Sequence, residues 1–68
     1  MKELLVRYSA AMSGLLTYTD CMWDSMMVEL NEVYRDMDDM SIEEIKTFER
    51  TVIGYETILK GFKIMNND

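Results

Sequence analysis

Residues 38–45, with the sequence DDMSIEEI, contain a turn followed by the start of a helix. Ser41 and Glu44 have the spacing of a capping box, in which each side chain accepts a hydrogen bond from the backbone amide of the other residue. Met40 and Ile45 flank the box as a hydrophobic staple, which fixes the direction of the chain at the helix start. The pattern predicts a tight turn and then a helix that begins at about residue 42.

On both sides of this turn, apolar residues recur in steps of three and four. One stripe runs from Leu5 to Met37 without a miss, and a second runs from Ile45 to Phe62. The chain has no proline, and its composition favours helix throughout. The sequence therefore predicts a single all-α domain over residues 1–68: a long helix at about 2–38 and a second at about 42–65. Because the turn is short, we expect an antiparallel helical hairpin.

The weakest point of the long helix is Ser13-Gly14, because glycine in a helix interior costs about 1 kcal/mol relative to alanine. The apolar stripe keeps its phase across this point, which favours a continuous helix. The alternative is a break at Ser13-Gly14, which gives three helices.

Further apolar residues lie outside the seam of the predicted hairpin. Two helices alone make a poor core for a chain of this size, so we expect these residues to be covered by other copies of the chain. The prediction is a homo-oligomeric helical bundle, most simply a dimer. Its predicted interface consists of Leu4, Ala11, Leu15, Tyr18, Met22, Ile53, Ile58, Ile64 and Met65.

Composition narrows the class of protein. The single cysteine and the absence of histidine exclude an internal disulfide and a Cys/His zinc site, and they fit a reducing compartment. The N-terminal residues carry charges of both signs, and no uncharged run is long enough to span a membrane. We expect a cytoplasmic protein that binds no membrane and no cofactor.

Acidic residues concentrate in the middle of the chain. Residues 20–44 contain nine carboxylates and one arginine, a net charge of −8, although the whole chain has a net charge of −6. Glu29, Glu32 and Asp36 follow helical spacing, so they share one face. The predicted partner-binding surface consists of Asp20, Asp24, Glu29, Glu32, Asp36, Asp38, Asp39, Glu43 and Glu44. Met27 and Tyr34 are predicted to form an apolar contact beside it.

The charge pattern favours a function in binding another protein. A negatively charged surface repels nucleic acid, and no basic recognition helix is present, so we expect no direct binding of nucleic acid. Carboxylates along a rigid helix instead resemble a row of phosphates. The leading hypothesis is a small acidic inhibitor that occupies a basic nucleic-acid-binding surface of a nuclease or similar enzyme. Such inhibitors are typical of viruses and mobile elements, an analogy that would place the protein in the host cytoplasm.

Two other functions stay open. One is a structural oligomerisation or adaptor module whose acidic face only keeps it soluble. The other is a ligand or metal binder with its site between subunits, although the acids around the turn match only a fragment of a calcium loop. Exposed carboxylates on a turn have nothing around them to exclude water, so the sequence predicts no enzyme and no catalytic residue.

Overall fold

The chain folds into three α-helices in a computed structural model that describes residues 1–67. Asp68, the last residue of the predicted domain, lies outside the described residues. The helices are α1 (Lys2–Leu16), α2 (Trp23–Asp36) and α3 (Ile42–Met65), and a short 3₁₀ turn (Met37–Asp39) follows α2. No strand occurs among the described residues. The all-α prediction is therefore confirmed, with three helices instead of two.

Helix α3 begins and ends where the sequence predicts. At its start, the Ser41 hydroxyl accepts a hydrogen bond from the Glu44 amide at 3.1 Å, and the Glu44 carboxylate accepts one from the Ser41 amide at 3.2 Å. This capping box satisfies backbone donors that a helix N-terminus otherwise leaves unpaired. Met40 and Ile45 both pack against the core, as expected for the staple.

The long first helix is the main correction to the predicted fold, because the chain leaves the helix at residues 17–22. Thr17, Thr19 and Asp20 all have low helix propensity. The Thr19 hydroxyl accepts a hydrogen bond from the Cys21 amide at 3.3 Å, and the Trp23 amide donates to the Asp20 carbonyl at 3.1 Å. These local bonds offer the backbone an alternative to the helix, so the chain turns here.

Ser13-Gly14, the predicted alternative break, lies inside α1. At Gly14 a side chain of α3 comes close to the backbone of α1, since a Cβ atom placed there would be 2.7 Å from Cδ2 of Leu59. The missing side chain lets Leu59 pack onto the backbone of α1. The glycine therefore serves helix packing and does not break the helix.

The turn at residues 17–22 folds α1 back onto both other helices and closes a core within one chain. Tyr8, Leu15, Met26 and Val52 are its most completely buried large side chains, and all three helices contribute. The ring of Tyr8 stacks on Phe48 with centroids 5.4 Å apart. Its edge-on contact with Tyr55 has a centroid distance of 5.6 Å.

Helices α1 and α3 run in the same direction. In three contacts between them, the residue numbers increase together on both sides. Near the start of α1, Arg7 forms a two-bond ion pair with Glu56, with N to O distances of 2.6 and 3.0 Å. Gly14 then meets Leu59. Beyond the end of α1, Tyr18 stacks on Phe62 with centroids 5.5 Å apart.

The folding of α1 onto the other two helices changes the predicted oligomer interface. Five of its nine residues pack within their own chain, because the packing of α1 on α2 and α3 provides the cover that we assigned to a second copy. Leu4, Ala11 and Leu15 are buried, Tyr18 stacks on Phe62, and Met22 packs against the core. The remaining four, all on α3, are exposed: Ile53, Ile58, Ile64 and Met65.

The molecule is elongated, measuring 40 × 19 × 15 Å along its principal axes. Helix α3, at 1.5 Å per residue about 36 Å long, spans nearly all of this length. None of the helices in residues 1–67 combines the length and the apolar character needed to cross a membrane.

Candidate protein-binding cleft

An open cleft lies between α2 and α3. Helix α1 packs against both of these helices, but no Cα atom of α2 lies within 8 Å of a Cα atom of α3. Helices in direct contact have axes 8–10 Å apart, so these two stand further apart than a packed pair. The space between them forms a trough of about 420 Å³.

The floor of this cleft is apolar. Val33 from α2, Met40 from the turn and Phe48 from α3 line it. Phe48 is 4% exposed and stacks on Tyr8, so the core holds its ring in place. Val33 and Met40 are partly exposed, and both also pack against the core. Val33 and Met40 therefore supply the accessible apolar surface of the floor, and Phe48 forms its rigid base.

The rim of the cleft is acidic on both sides. Glu29, Glu43 and Glu44 line the trough itself. Glu32 and Asp36 line an adjoining depression that shares Val33, Met40 and Glu44 with the trough. We call this whole feature the acidic cleft: the floor of Val33, Met40 and Phe48 with the rim of Glu29, Glu32, Asp36, Glu43 and Glu44. It joins five of the nine predicted acidic residues.

Glu29 is held in position from below. The hydroxyl of Tyr8 lies 2.7 Å from Oε1 of Glu29 and 3.2 Å from the carbonyl oxygen of Met26, and it can donate to either. Burial of the phenol, reinforced by its hydrogen bond to the Glu29 carboxylate, raises the pKa of Tyr8 far above its ordinary value. Tyr8 therefore remains a neutral donor, and Glu29 lies beside the core.

The rim carboxylates have almost no cationic partners. Within residues 1–67, the ion pairs are Arg7 with Glu56, which is remote from the cleft, and Arg35 with Asp36. The Arg35 guanidinium approaches Asp36 to 3.2 Å, and both side chains are mostly exposed. The hydrogen bond to Asp36 is the main cause of the raised pKa of Arg35. The other four rim carboxylates form no ion pair within the described chain.

The remaining four predicted acidic residues lie outside the cleft. Asp20 is in the turn between α1 and α2, and Asp24 is in the first turn of α2. Asp24 is about 18 Å from Asp36 along the helix axis, at 1.5 Å per residue. Asp38 and Asp39 are exposed on the 3₁₀ turn and do not line the trough or its adjoining depression. The structure thus divides the acidic stretch into a cleft and separate surface charges.

The predicted apolar contact also lies elsewhere. Tyr34 lines a second cleft, between α1 and α2, together with Leu5, Val6 and Leu30. Met27 is partly buried against the core. Neither residue lines the acidic cleft, because both lie on the opposite side of the buried stripe of α2 from Glu29 and Glu32. Val33, Met40 and Phe48 provide its apolar surface instead.

Sequence reasoning did not identify these floor residues as part of a site. Val33 and Phe48 belong to the apolar stripes and Met40 to the staple, so their pattern indicates core. The separation of α2 from α3, which leaves them accessible, has no sequence signal of its own.

The acidic cleft, with its apolar floor and acidic rim, suits an apolar group flanked by cations. Among residues 1–67, no three or more Asp, Glu, Cys or His side chains are grouped to hold a metal ion.

The chain was compared with protein-family models, curated proteins and solved structures, and it shows no significant similarity to any of them. The acidic cleft must therefore be interpreted from its own geometry.

Proposed function

We propose that this protein is a non-enzymatic binder of a basic protein surface and that the acidic cleft is its binding site. In this proposal it acts as an inhibitor, occupying the basic groove with which a nuclease or similar enzyme holds nucleic acid. The carboxylates take the place of phosphates, and the partner supplies lysine and arginine.

One observation carries the proposal: carboxylates from two helices converge on one cleft and most of them have no internal cation. Glu29, Glu32 and Asp36 follow one another at three and four residues along α2, a spacing at which like charges repel one another. Surfaces that serve solubility alone usually intersperse both signs. A cationic partner would relieve the repulsion, and complementary charge would also speed its association.

Charge reversal in the cleft tests the proposal. The cleft variant combines Glu32→Lys, Asp36→Lys and Glu43→Lys, and the matched control combines Asp20→Lys, Asp24→Lys and Glu49→Lys. Three reversals add six positive charges, which changes the net charge from −6 to zero in both variants. The two variants therefore differ in where the charge changes and not in how much.

The measurement is competition with duplex DNA for a fluorescent peptide rich in lysine and arginine. We expect wild type and control to displace the DNA, and the cleft variant to bind the peptide at least about tenfold more weakly. Added salt should weaken the wild-type complex strongly, since exposed charges are screened over about 10 Å at 0.1 M. Equal losses in the two variants would mean that net charge alone attracts the peptide, and the proposal would fail.

A second candidate function, self-association as an oligomerisation module, is favoured by the exposed apolar residues of α3. Ile64 and Met65 are 68% and 78% exposed, and Ile53 and Ile58, earlier on the same helix, are exposed as well. Sedimentation would detect a dimer, and Ile53→Asp should dissociate it. A compact monomer at micromolar concentration would contradict this function.

A further inference from the structure

The shape of the acidic cleft indicates what kind of partner segment it accepts. Helix α1 covers one side of the space between α2 and α3, and the opposite side is open. Two helices that stand apart on a common support leave a trough between them. In four-helix bundles, a further helix fills such a space.

The distribution of apolar and charged groups narrows the choice further. Val33, Met40 and Phe48 run along the bottom, and carboxylates stand on both walls: Glu29, Glu32 and Asp36 on α2, and Glu43 and Glu44 on α3. A segment that fits must place apolar side chains at the bottom and cations along both edges. An amphipathic helix with an apolar stripe and lysine or arginine on each flank meets both requirements.

We infer that the acidic cleft binds a basic amphipathic helix of the partner protein. This inference rests on the proposed function, and it adds the form of the recognised element. Apolar side chains of the helix, spaced at three and four residues, contact Phe48, Val33 and Met40. Its flanking cations pair with the rim carboxylates. Charge complementarity selects this occupant, because an acidic or neutral helix would leave the rim unpaired.

The inference is tested with three fluorescent peptides of about 18 residues, which is five turns of helix. The first has leucines at every third and fourth position with lysines on both flanks. The second has the same composition in scrambled order, and the third replaces every lysine by glutamate. We expect the first peptide to bind at least about tenfold more tightly than the other two, and to become helical on binding.

A pair of threonines on α3 provides matched variants of the protein. Thr51 lines the cleft, and Thr57 lies outside it on an exposed part of the same helix. Both hydroxyls donate to the carbonyl oxygen four residues earlier, at 3.2 and 2.8 Å. Thr51→Trp should fill the trough and weaken binding about tenfold, whereas Thr57→Trp should leave it unchanged. Circular dichroism and melting curves establish that both variants fold.

The outcomes separate this inference from the proposed function. If the scrambled peptide binds as well as the amphipathic one, or if Thr51→Trp has no effect while charge reversal of the rim does, the acids bind cations without a helix in the trough. The inference then fails and the proposed function stands. If neither the rim nor the trough matters, both fail. A dimer in sedimentation that Thr51→Trp dissociates would assign the trough to a second copy and would also overturn the inference.

Discussion

Tyr8 connects the core to the acidic cleft. Its ring is fully buried where the three helices meet, and its hydroxyl donates to Glu29 or to the backbone of Met26. A buried hydroxyl must find an acceptor, and a charged acceptor makes the bond stronger. The same side chain thus fixes the packing of α1 and the position of one rim carboxylate.

The hydroxyl of Tyr8 should therefore contribute to stability. We expect Tyr8→Phe to lower the free energy of unfolding by about 1–2 kcal/mol, because it removes a hydrogen bond to a charged group and keeps the ring packing. Urea titration measures this change. Tyr34→Phe, which removes an exposed hydroxyl from the same type of residue, should change stability little. An equal effect of the two substitutions would contradict the role given to the buried bond.

The raised pKa of Tyr8 also makes stability depend on alkaline pH. In the unfolded chain tyrosine ionises near pH 10, while the folded Tyr8 keeps its proton. Above that pH the unfolded state binds fewer protons than the folded state, so stability is present below about pH 10 and is lost as pH rises. We expect the melting temperature of wild type to fall between about pH 9 and pH 11 more steeply than that of Tyr8→Phe. Parallel curves would contradict this linkage.

Among the helices, α1 and α3 meet at one glycine that has a packing role. Gly14 has no room for a methyl group beside Leu59, whereas Gly54 and Gly61 on α3 have nothing within 4 Å of an added Cβ. Gly54 and Gly61 lie in the interior of α3, where alanine is favoured over glycine by about 1 kcal/mol, and Gly14 lies in the last turn of α1. At Gly14 the packing of Leu59 therefore acts against a smaller gain in helix propensity.

Substitution by alanine separates these two effects. Gly54→Ala and Gly61→Ala should each stabilise the fold by about 1 kcal/mol. Gly14→Ala should stabilise it less, because the new methyl group must displace the side-chain methyls of Leu59. Thermal and urea unfolding measure all three. In a double-mutant cycle, Leu59→Ala should reduce the cost at Gly14. A stabilisation at Gly14 equal to that at the other two positions would contradict the close approach.

The same glycine explains how far the elements were predictable. The start of α3 follows from local signals, Ser41 and Glu44, so the sequence predicts it correctly. The end of α1 does not follow from local signals: Gly14 has the poorest helix propensity in this part of the chain, yet it lies within α1, where Leu59 packs against it. The low propensities of Thr17, Thr19 and Asp20 were a signal for the true break. The apolar stripe gives no sign of this break. It keeps its phase across residues 17–22 because the helices on both sides of the turn face the same core.

For the whole molecule, folding α1 inward separates two surfaces. The acidic cleft lies toward the turn between α2 and α3, and the exposed apolar residues Ile64 and Met65 lie at the far end of α3. The carboxylates of the site were predictable because charge is read directly from the sequence. The floor was not, because apolar residues become a binding surface only when the helices around them stand apart.

Two carboxylates of α2, Asp36 in the rim and Asp24 outside the cleft, provide a test of whether the rim charges are kept for function. Asp36 is the last residue of α2, where a negative charge opposes the helix dipole, and it lies one turn from Glu32. Its ion pair with Arg35 is exposed and offsets little of this repulsion. Asp24 is in the first turn, where a negative charge favours the dipole. Asp36→Asn should raise the melting temperature by a few degrees at low salt, and Asp24→Asn should lower it. Both changes should shrink at about 1 M salt, where screening acts within about 3 Å.

Binding of the basic peptide then decides why the chain keeps Asp36. If the rim recognises cations, Asp36→Asn should bind the peptide more weakly although it is more stable, whereas Asp24→Asn should bind it normally although it is less stable. Stability and binding would then change in opposite directions, as expected where a functional site retains groups that destabilise the fold. If Asp36→Asn gains stability and binds the peptide as wild type does, its charge serves solubility, and the acidic cleft loses one of its assigned contacts.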